Sequence, residues 1–209
     1  MAESDAFALD YNYALNRSGD VFGQPMNISS VNYNQVDGTP VLKSAQRIKM
    51  EKTKPLLVQG EFRGIEYYSI YGYRNLYNPG DVITPTDPNT STPICTVISY
   101  SPAEEATCMR TSNTGSIYNG TIALYTNVLY ELQAEGQTTA PPENVIEVER
   151  PGLKHKFAIF KRDLNTSLIE EQGLIFIEDG LPATSRWVVT HIDERGNVLL
   201  LDCKKDGWV

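Results

Sequence analysis

Trp187-Val-Val-Thr-His-Ile192, Asp193-Glu-Arg-Gly-Asn197 and Val198-Leu-Leu-Leu-Asp202 follow one another directly in the sequence. Two short apolar runs on either side of a turn segment with Gly and Asn predict a β-hairpin. Two similar runs precede it, namely Phe157-Ala-Ile-Phe160 and Leu174-Ile-Phe-Ile177. Four short strands predict a small antiparallel β domain over residues 145–209, either a barrel or a sandwich.

Strand-like runs also fill the chain before residue 137. They are Ile65-Glu-Tyr-Tyr-Ser-Ile-Tyr71, Asp81-Val-Ile-Thr84, Ile94-Cys-Thr-Val-Ile-Ser-Tyr100, Thr121-Ile-Ala-Leu-Tyr125 and Asn127-Val-Leu-Tyr-Glu-Leu-Gln133. Clusters of Pro, Gly and Asn separate them, which is typical of antiparallel β structure. Residues 102–110 are expected to form one short helix.

The composition favours strands and turns over helices, with twelve Tyr, twelve Pro and fifteen Gly in 209 residues. The segment that contains Pro141-Pro142 is predicted to be a linker, because paired prolines and small polar residues do not join a core. The fold class is therefore mainly β, with two small antiparallel β domains. We expect an extended N-terminal arm over 1–40, a β domain with loops over 41–136, a linker over 137–144 and a small β-barrel-like domain over 145–209.

The predicted arm is rich in Asn, Ser and Asp and shows little apolar periodicity. Its tyrosines offer a large contact area with a polar tip, which is favoured at interfaces. We therefore expect Tyr11, Tyr13 and Tyr33 to contact a neighbouring subunit. The alternative is a mobile tail.

Charge is distributed unevenly along the chain. The whole chain carries −8, which argues against general nucleic-acid binding, whereas residues 43–63 carry a net +4. The basic residues of this segment are Lys43, Arg47, Lys49, Lys52, Lys54 and Arg63. They form a candidate contact patch for an acidic neighbour or for passing DNA without sequence-specific binding. The alternative is a solvated strand edge on which Lys discourages edge-to-edge pairing.

Neither a membrane-spanning segment nor a catalytic motif is indicated. No apolar run approaches the roughly 20 residues of a spanning helix, and the polar Met1-Ala-Glu-Ser-Asp5 does not have a signal-peptide pattern. We therefore expect a soluble chain made in the cytoplasm, with no membrane partner.

Three cysteines without a CxxC pair predict neither a zinc site nor a disulfide framework. Cys95 and Cys108 are candidates to face each other on neighbouring strands, and Cys203 with His191 is a conceivable nucleophile pair. The favoured interpretation is ordinary reduced thiols, no metal, no cofactor and no enzymatic activity.

Three stretches together carry a resemblance: Asn78-Pro-Gly-Asp-Val-Ile-Thr-Pro85, Tyr125-Thr-Asn-Val-Leu-Tyr-Glu-Leu-Gln133 with Gly136 just after it, and Arg186-Trp-Val-Val-Thr-His-Ile-Asp193 with Asn197-Val-Leu-Leu-Leu-Asp202. The chain resembles minor virion structural proteins of tailed bacteriophages, the class that forms the neck, collar, gateway or head-tail connector rings. The resemblance implies small β-barrels with arms and docking loops, a homo-oligomeric ring, a virion location, and other head, portal or tail proteins as partners. It supplies no binding residues.

Two other functions remain open. Tyr67, Tyr68, Tyr71, Tyr73 and Tyr77 lie close enough in sequence to line a platform on which sugar rings stack, as in a carbohydrate- or receptor-binding module of a phage tail. The other is a tail-associated hydrolase, for which carboxylate pairs such as Glu170-Glu171 would be needed.

Overall fold

The computed structural model describes residues 13–14, 17–53, 65–71, 78–99, 106–133, 154–161, 173–179 and 186–206. Within them, twelve strands form two closed, six-stranded, antiparallel β-barrels. The predicted fold class, mainly β with two small antiparallel β domains, is confirmed. Each domain is a barrel, not a sandwich. No helix in the described ranges is long and apolar enough to span a membrane.

The first barrel holds β1 to β6. Its strands are β1 Gln24–Ser30, β2 Val41–Thr53, β3 Tyr67–Tyr71, β4 Val82–Pro85, β5 Cys95–Ser99 and β6 Ala106–Arg110. They close in the order β1-β2-β3-β6-β5-β4. Small and medium apolar side chains fill the interior, among them Met26, Ile28, Ile48, Ile70 and Ile83.

The second barrel holds β7 to β12. Its strands are β7 Asn113–Asn119, β8 Ile122–Gln133, β9 Lys154–Phe160, β10 Leu174–Glu178, β11 Arg186–Arg195 and β12 Val198–Lys205. The predicted hairpin is β11 and β12, with Gly196 at φ 58° in the turn. Its interior is more aromatic than that of the first barrel, because Tyr130, Phe157, Phe176 and Trp187 are all buried there.

The predicted domain boundary is wrong. The second barrel starts at Asn113 and not at residue 145, because β7 pairs with β10 and β8 pairs with β9. The Pro-rich segment lies in the chain between β8 and β9, two strands of the same barrel. Its composition therefore marks a connection between strands and not a connection between domains. Residues 137–144 themselves lie outside the described residues.

The predicted extended arm over residues 1–40 is also wrong for the part that the structure describes. Residues 17–22 are helical, and β1 is a full member of the first barrel, paired with β2 and β4. The sequence did not predict β1 because most of its residues are polar. Its Met26 and Ile28 face the core, and Asn and Ser residues alternate with them. The predicted helix over 102–110 is wrong where the structure describes it, since Ala106–Arg110 is β6.

The two barrels repeat one topology. Read from β7, the second barrel closes in the order β7-β8-β9-β12-β11-β10, which matches the first strand for strand. The register of β5 on β6 also matches that of β11 on β12. Val97 faces Cys108 in the first pair of strands and Val189 faces Cys203 in the second, and a shift in register follows each of these residue pairs. Glycines with positive φ, Gly80 and Gly173, precede β4 and β10. The chain is therefore an internal tandem repeat at the level of structure.

Candidate functional site

The predicted basic patch lies on β2. Lys43, Arg47, Lys49 and Lys52 are all on this strand, whereas Lys54 and Arg63 lie outside the described residues. Three of the four meet carboxylates: Lys43 Nζ is 2.6 Å from Asp81 Oδ2, Lys49 Nζ is 2.5 Å from Glu51 Oε1, and Lys52 pairs with Glu66.

These ion pairs change what the patch can bind. A lysine that already faces a carboxylate has less free charge for a phosphate, so the positive field of β2 is much weaker than its sequence implies. Arg47 is exposed, and in the described part of the chain no carboxylate pairs with it. A contact with DNA through this strand stays a prediction, and Arg47 is its main cationic group.

Glu66 organises a cluster on the surface of the first barrel. Its Oε2 accepts hydrogen bonds from the Tyr68 hydroxyl at 2.9 Å and from Arg110 Nη1 at 3.1 Å, and its Oε1 pairs with Lys52. Arg110 Nε also donates to Ser112 Oγ at 2.7 Å. The strand register brings these groups together, because Lys52 lies opposite Tyr68 across β2 and β3.

Hydrogen bonds from Lys52, Tyr68 and Arg110 lower the pKa of Glu66 from 4.5 to about 2. Burial, followed by the hydrogen bond to the Glu66 carboxylate, raises the pKa of Tyr68 to about 12. The cluster is therefore a fixed carboxylate with a neutral phenol at neutral pH. Neither group is a proton donor or acceptor suited to catalysis at pH 7.

Glu66→Gln should reduce the acid sensitivity of the first barrel. A lowered carboxylate pKa stabilises the fold above the unfolded value near 4.5, and this stabilisation is lost as pH falls towards about 2. Thermal unfolding of wild type and variant across this range measures the difference. An identical loss of stability in both proteins would contradict the assignment.

Next to this cluster lies a groove of 510 Å³, a volume within the usual range for small-ligand sites. Tyr68, Arg110 and Glu66 line one part of it. The segment that connects β4 to β5 supplies most of the rest, mainly hydroxyls and prolines: Pro88, Thr90, Ser91, Thr92 and Pro93. Such a lining offers hydrogen bonds and flat apolar patches to a polar, uncharged ligand.

The tyrosine platform forms only in part. Tyr67 is buried, while Tyr68 is half-buried and its hydroxyl donates to Glu66. Adjacent strand residues point to opposite faces, so Tyr67 and Tyr68 cannot share one stacking surface. Lys49 Nζ lies 5.4 Å from the centre of the Tyr71 ring, and Tyr73 and Tyr77 lie outside the described residues. The single groove-lining tyrosine is therefore Tyr68 within the part of the chain that is described.

The nucleophile pair of Cys203 and His191 is not formed. A register shift in β11 places His191 opposite Asp202, and Cys203 instead lies opposite Val189 and His155. Cys203 is buried, and burial followed by the nearby Asp202 and Glu178 charges raises its pKa. The thiol therefore stays protonated at neutral pH and is a poor nucleophile.

Cys95 and Cys108 lie on neighbouring strands as expected but are not directly opposite. Cys95 faces Arg110, Cys108 faces Val97, and both are free, fully buried thiols. Burial raises the pKa of Cys108. In the described ranges no group of three or more His, Cys, Asp or Glu is placed to hold a metal ion.

All three thiols should be unreactive towards iodoacetamide in the native protein at pH 8, because each is buried. Three should react after unfolding. Peptide mass spectrometry of protein labelled before and after denaturation measures both numbers. Fast labelling of any one thiol in the native state would contradict the burial described for it.

The predicted interface tyrosines that the structure describes have different surroundings. Tyr13 is 63% exposed, and Arg17 Nη1 is 3.4 Å from its hydroxyl. Tyr33 is half-buried, with its ring 4.9 Å from that of Phe160 on β9. Tyr11 lies outside the described residues. Tyr33 therefore helps to attach residues 33–38 to the second barrel, and Tyr13 remains available to a neighbour.

Sequence reasoning did not identify Glu66, Arg110 or Asp81 as structurally important. Asp81 is buried and accepts from the Asn78 amide N–H at 2.7 Å as well as from Lys43, so it fixes the turn before β4. Glu178 in the second barrel similarly accepts from Tyr130 at 2.5 Å and Trp187 Nε1 at 2.8 Å. Among these contacts, only the Asn78-Pro-Gly-Asp81 turn could have been predicted from the local sequence. The other contacts join residues that are far apart in the sequence.

Comparison with known proteins finds no relative: no family model, no curated protein and no solved structure matches this chain.

Proposed function

We propose that the chain is a non-enzymatic structural subunit of a tailed-bacteriophage virion. It forms part of the neck, the head-tail connector, collar or gateway ring that joins the DNA-filled head to the tail. Its partners are further copies of itself and the head, portal or tail proteins beside it. The supporting observation is the tandem of two closed barrels with one topology, each filled by its own core.

The stretches that carry the resemblance to neck proteins are architectural parts of these barrels. Asn78–Pro85 forms the turn and strand β4, Tyr125–Gln133 lies in β8, and Arg186–Asp202 covers β11 and most of β12. This placement agrees with a class whose members are recognised by shape and not by a reactive site.

The surface also carries large exposed apolar side chains. They include adjacent pairs, Val21 with Phe22 and Val41 with Leu42. Grouped apolar side chains on a protein surface favour contacts with other proteins, whereas isolated ones are common and carry no such meaning. Val21 and Phe22, both exposed in the helical residues 17–22, support a subunit that packs against neighbours in an assembly, whereas Val41 and Leu42 are adjacent on β2 and point to opposite faces.

Localisation on purified particles tests this function. Antibodies raised against the chain and coupled to gold should label the junction between head and tail in electron micrographs. Label on the shell or at the tail tip would instead favour a decoration or baseplate protein. Absence of the chain from washed particles would overturn the virion assignment.

A second candidate function is carbohydrate or receptor binding at a phage tail. The groove beside Tyr68, with its hydroxyls and prolines, is the observation that favours it. A glycan array probed with wild type and with a variant carrying Tyr68→Ala and Thr92→Ala separates the two functions. Binding that the variant loses would favour the sugar-binding function, and no binding by wild type would remove it.

A further inference from the structure

Hydrogen bonds attach the segment that connects β4 to β5, which lines much of the groove beside Glu66, to strand β1 of the same barrel. At the start of the segment, the Thr86 N–H and hydroxyl both donate to the Pro25 carbonyl, at 3.2 and 3.1 Å. Near its end, the Thr92 hydroxyl donates to Gln24 Oε1 at 2.8 Å. Two separate contacts therefore hold the segment in place.

The middle of the segment is held by Asp87. Its Oδ1 accepts from the Asn89 N–H at 2.9 Å, and its carbonyl accepts from the Thr90 hydroxyl at 3.1 Å and from the Thr90 N–H at 3.3 Å. A site that is already ordered loses less free energy when a ligand binds. The lining that this segment supplies is therefore preorganised.

The groove presents hydrogen-bond acceptors, because three of its hydroxyls already donate their hydrogens within the protein. A hydroxyl has one hydrogen to donate and two lone pairs that accept. Tyr68, Thr90 and Thr92 each donate to an oxygen of the protein. In this arrangement each of the three oxygens can only accept from a ligand, so a fitting ligand must be rich in donors.

Glu66 adds one more acceptor without giving the groove a net charge. A carboxylate has about four lone-pair positions, and Lys52, Tyr68 and Arg110 occupy three of them. The charges of Glu66 and Arg110, the charged residues in the lining, cancel. A cation would be repelled by Arg110 and Lys52, while an anion would meet the Glu66 carboxylate with both cations already paired to it. The groove therefore favours donors that carry no charge.

Prolines and one isoleucine supply the apolar part of the lining: Pro85, Pro88, Pro93 and Ile94. A sugar ring combines apolar C–H faces with neutral hydroxyl donors around its edge, and it matches both parts of this lining. The volume of 510 Å³ suits a small ligand, such as the terminal sugar of a glycan.

We propose that this groove binds a neutral hexose at the end of a glycan, whose hydroxyls donate to Tyr68, Thr90 and Glu66 and whose C–H face packs against the prolines. This inference deepens the second candidate function, on which it rests, and is independent of the neck assignment. It adds a specificity: sialic and uronic acids should be rejected, because their carboxylates would approach that of Glu66.

A glycan array that pairs neutral glycans with sialylated or uronic-acid counterparts tests this specificity. Biotinylated protein is displayed on streptavidin, because several copies together raise weak binding to a measurable level. We expect binding to neutral members and at least about tenfold weaker binding to their anionic counterparts, since like charges would face each other. Equal or stronger binding to the anionic members would overturn the inference.

Thr90→Val should weaken the affinity for the best neutral glycan of the array by about fivefold in calorimetric titration, the usual effect of losing one neutral hydrogen bond. Thr90 is exposed, so the variant should fold. Thr121→Val makes the same change at an exposed residue of the β7–β8 turn and should bind like wild type. Equal affinities in the two variants would overturn the assigned hydroxyl contact.

Tyr68→Phe removes an acceptor from another part of the lining and should also weaken binding by about fivefold. Tyr118→Phe is its control, because Tyr118 is a half-buried tyrosine on β7 and does not line the groove. Thermal unfolding of both variants checks that each is folded. Unchanged affinity in folded Tyr68→Phe would overturn the contact to Tyr68.

Protection of an introduced thiol locates the bound glycan. Ser91 is exposed and lines the groove, so Ser91→Cys should react with iodoacetamide, and the neutral glycan at saturation should slow this reaction. Thr121→Cys should react at the same rate with and without the glycan. The native thiols do not interfere because all three are buried. Failure of the glycan to protect Ser91→Cys would overturn the location.

These measurements separate failure of this inference from failure of the function on which it rests. Neutral glycan binding that both groove variants weaken, together with protection of Ser91→Cys, supports both. Glycan binding that neither variant weakens, without protection, overturns the inference and leaves carbohydrate binding at another surface. No binding to any glycan contradicts both and leaves the neck assignment unaffected.

Discussion

Phe157→Ala should lower the free energy of unfolding of the second barrel by about 3–5 kcal/mol, the usual cost of removing a buried aromatic ring. Phe157 is fully buried, and its ring lies 4.6 Å from Phe176, 5.3 Å from Tyr130 and 5.7 Å from Trp187. Alanine would leave a cavity among rigid rings, which cannot move in to fill the space.

The thiols report which barrel the substitution affects. Cys203 lies in the core of the second barrel, while Cys95 and Cys108 lie in the core of the first. Under mild denaturant, Phe157→Ala should expose Cys203 to iodoacetamide well before the other two. Ile70→Ala, at the equivalent position of β3, should expose Cys95 and Cys108 first. Simultaneous labelling of all three thiols in both variants would contradict two separate cores.

Gly23→Ala should destabilise the first barrel by about 2–3 kcal/mol, the upper part of the range for forcing extra atoms into a packed site. A methyl carbon there would lie 2.3 Å from the Gly19 carbonyl oxygen and 2.7 Å from the carbonyl carbon of Ile48. Both neighbours are backbone, and the Gly23 N–H donates to that same Gly19 oxygen at 2.8 Å. The helical residues and β2 therefore cannot both keep their positions.

Gly120→Asn is the control for this substitution. A Cβ atom at Gly120 would meet nothing within 4 Å, and asparagine tolerates the φ of 58° found there. Urea unfolding of both variants should show a large loss only for Gly23→Ala. A loss below 1 kcal/mol for Gly23→Ala would mean that the close approach to Ile48 is not maintained in solution.

Local patterns in the sequence predicted the strands better than their arrangement. The β11–β12 hairpin follows from two apolar runs and a Gly-Asn turn, because all of its determinants lie within twenty residues. β1 was missed because only Met26 and Ile28 are large and apolar among its seven residues. The barrel to which a strand belongs depends on pairing partners far away in sequence, such as β7 with β10.

The candidate sites show the same limit. Composition identified the basic residues of β2, but only the register revealed that Asp81 and Glu66 pair with two of them. Glu66 is one of 26 acidic residues, and its sequence neighbours give no sign that three donors converge on it. The tandem repeat was also invisible in the sequence, because equivalent core positions hold different residues, for example Ile83 and Phe176.

The assembled mass of the purified chain tests the central claim, self-assembly into a closed ring, most directly. Light scattering coupled to size exclusion across a concentration series, with negative-stain images of the same fractions, gives both the copy number and the shape. We predict a discrete multiple of 23.3 kDa and closed rings in the images. A monomeric mass at every concentration, with no rings in any image, would contradict the claim.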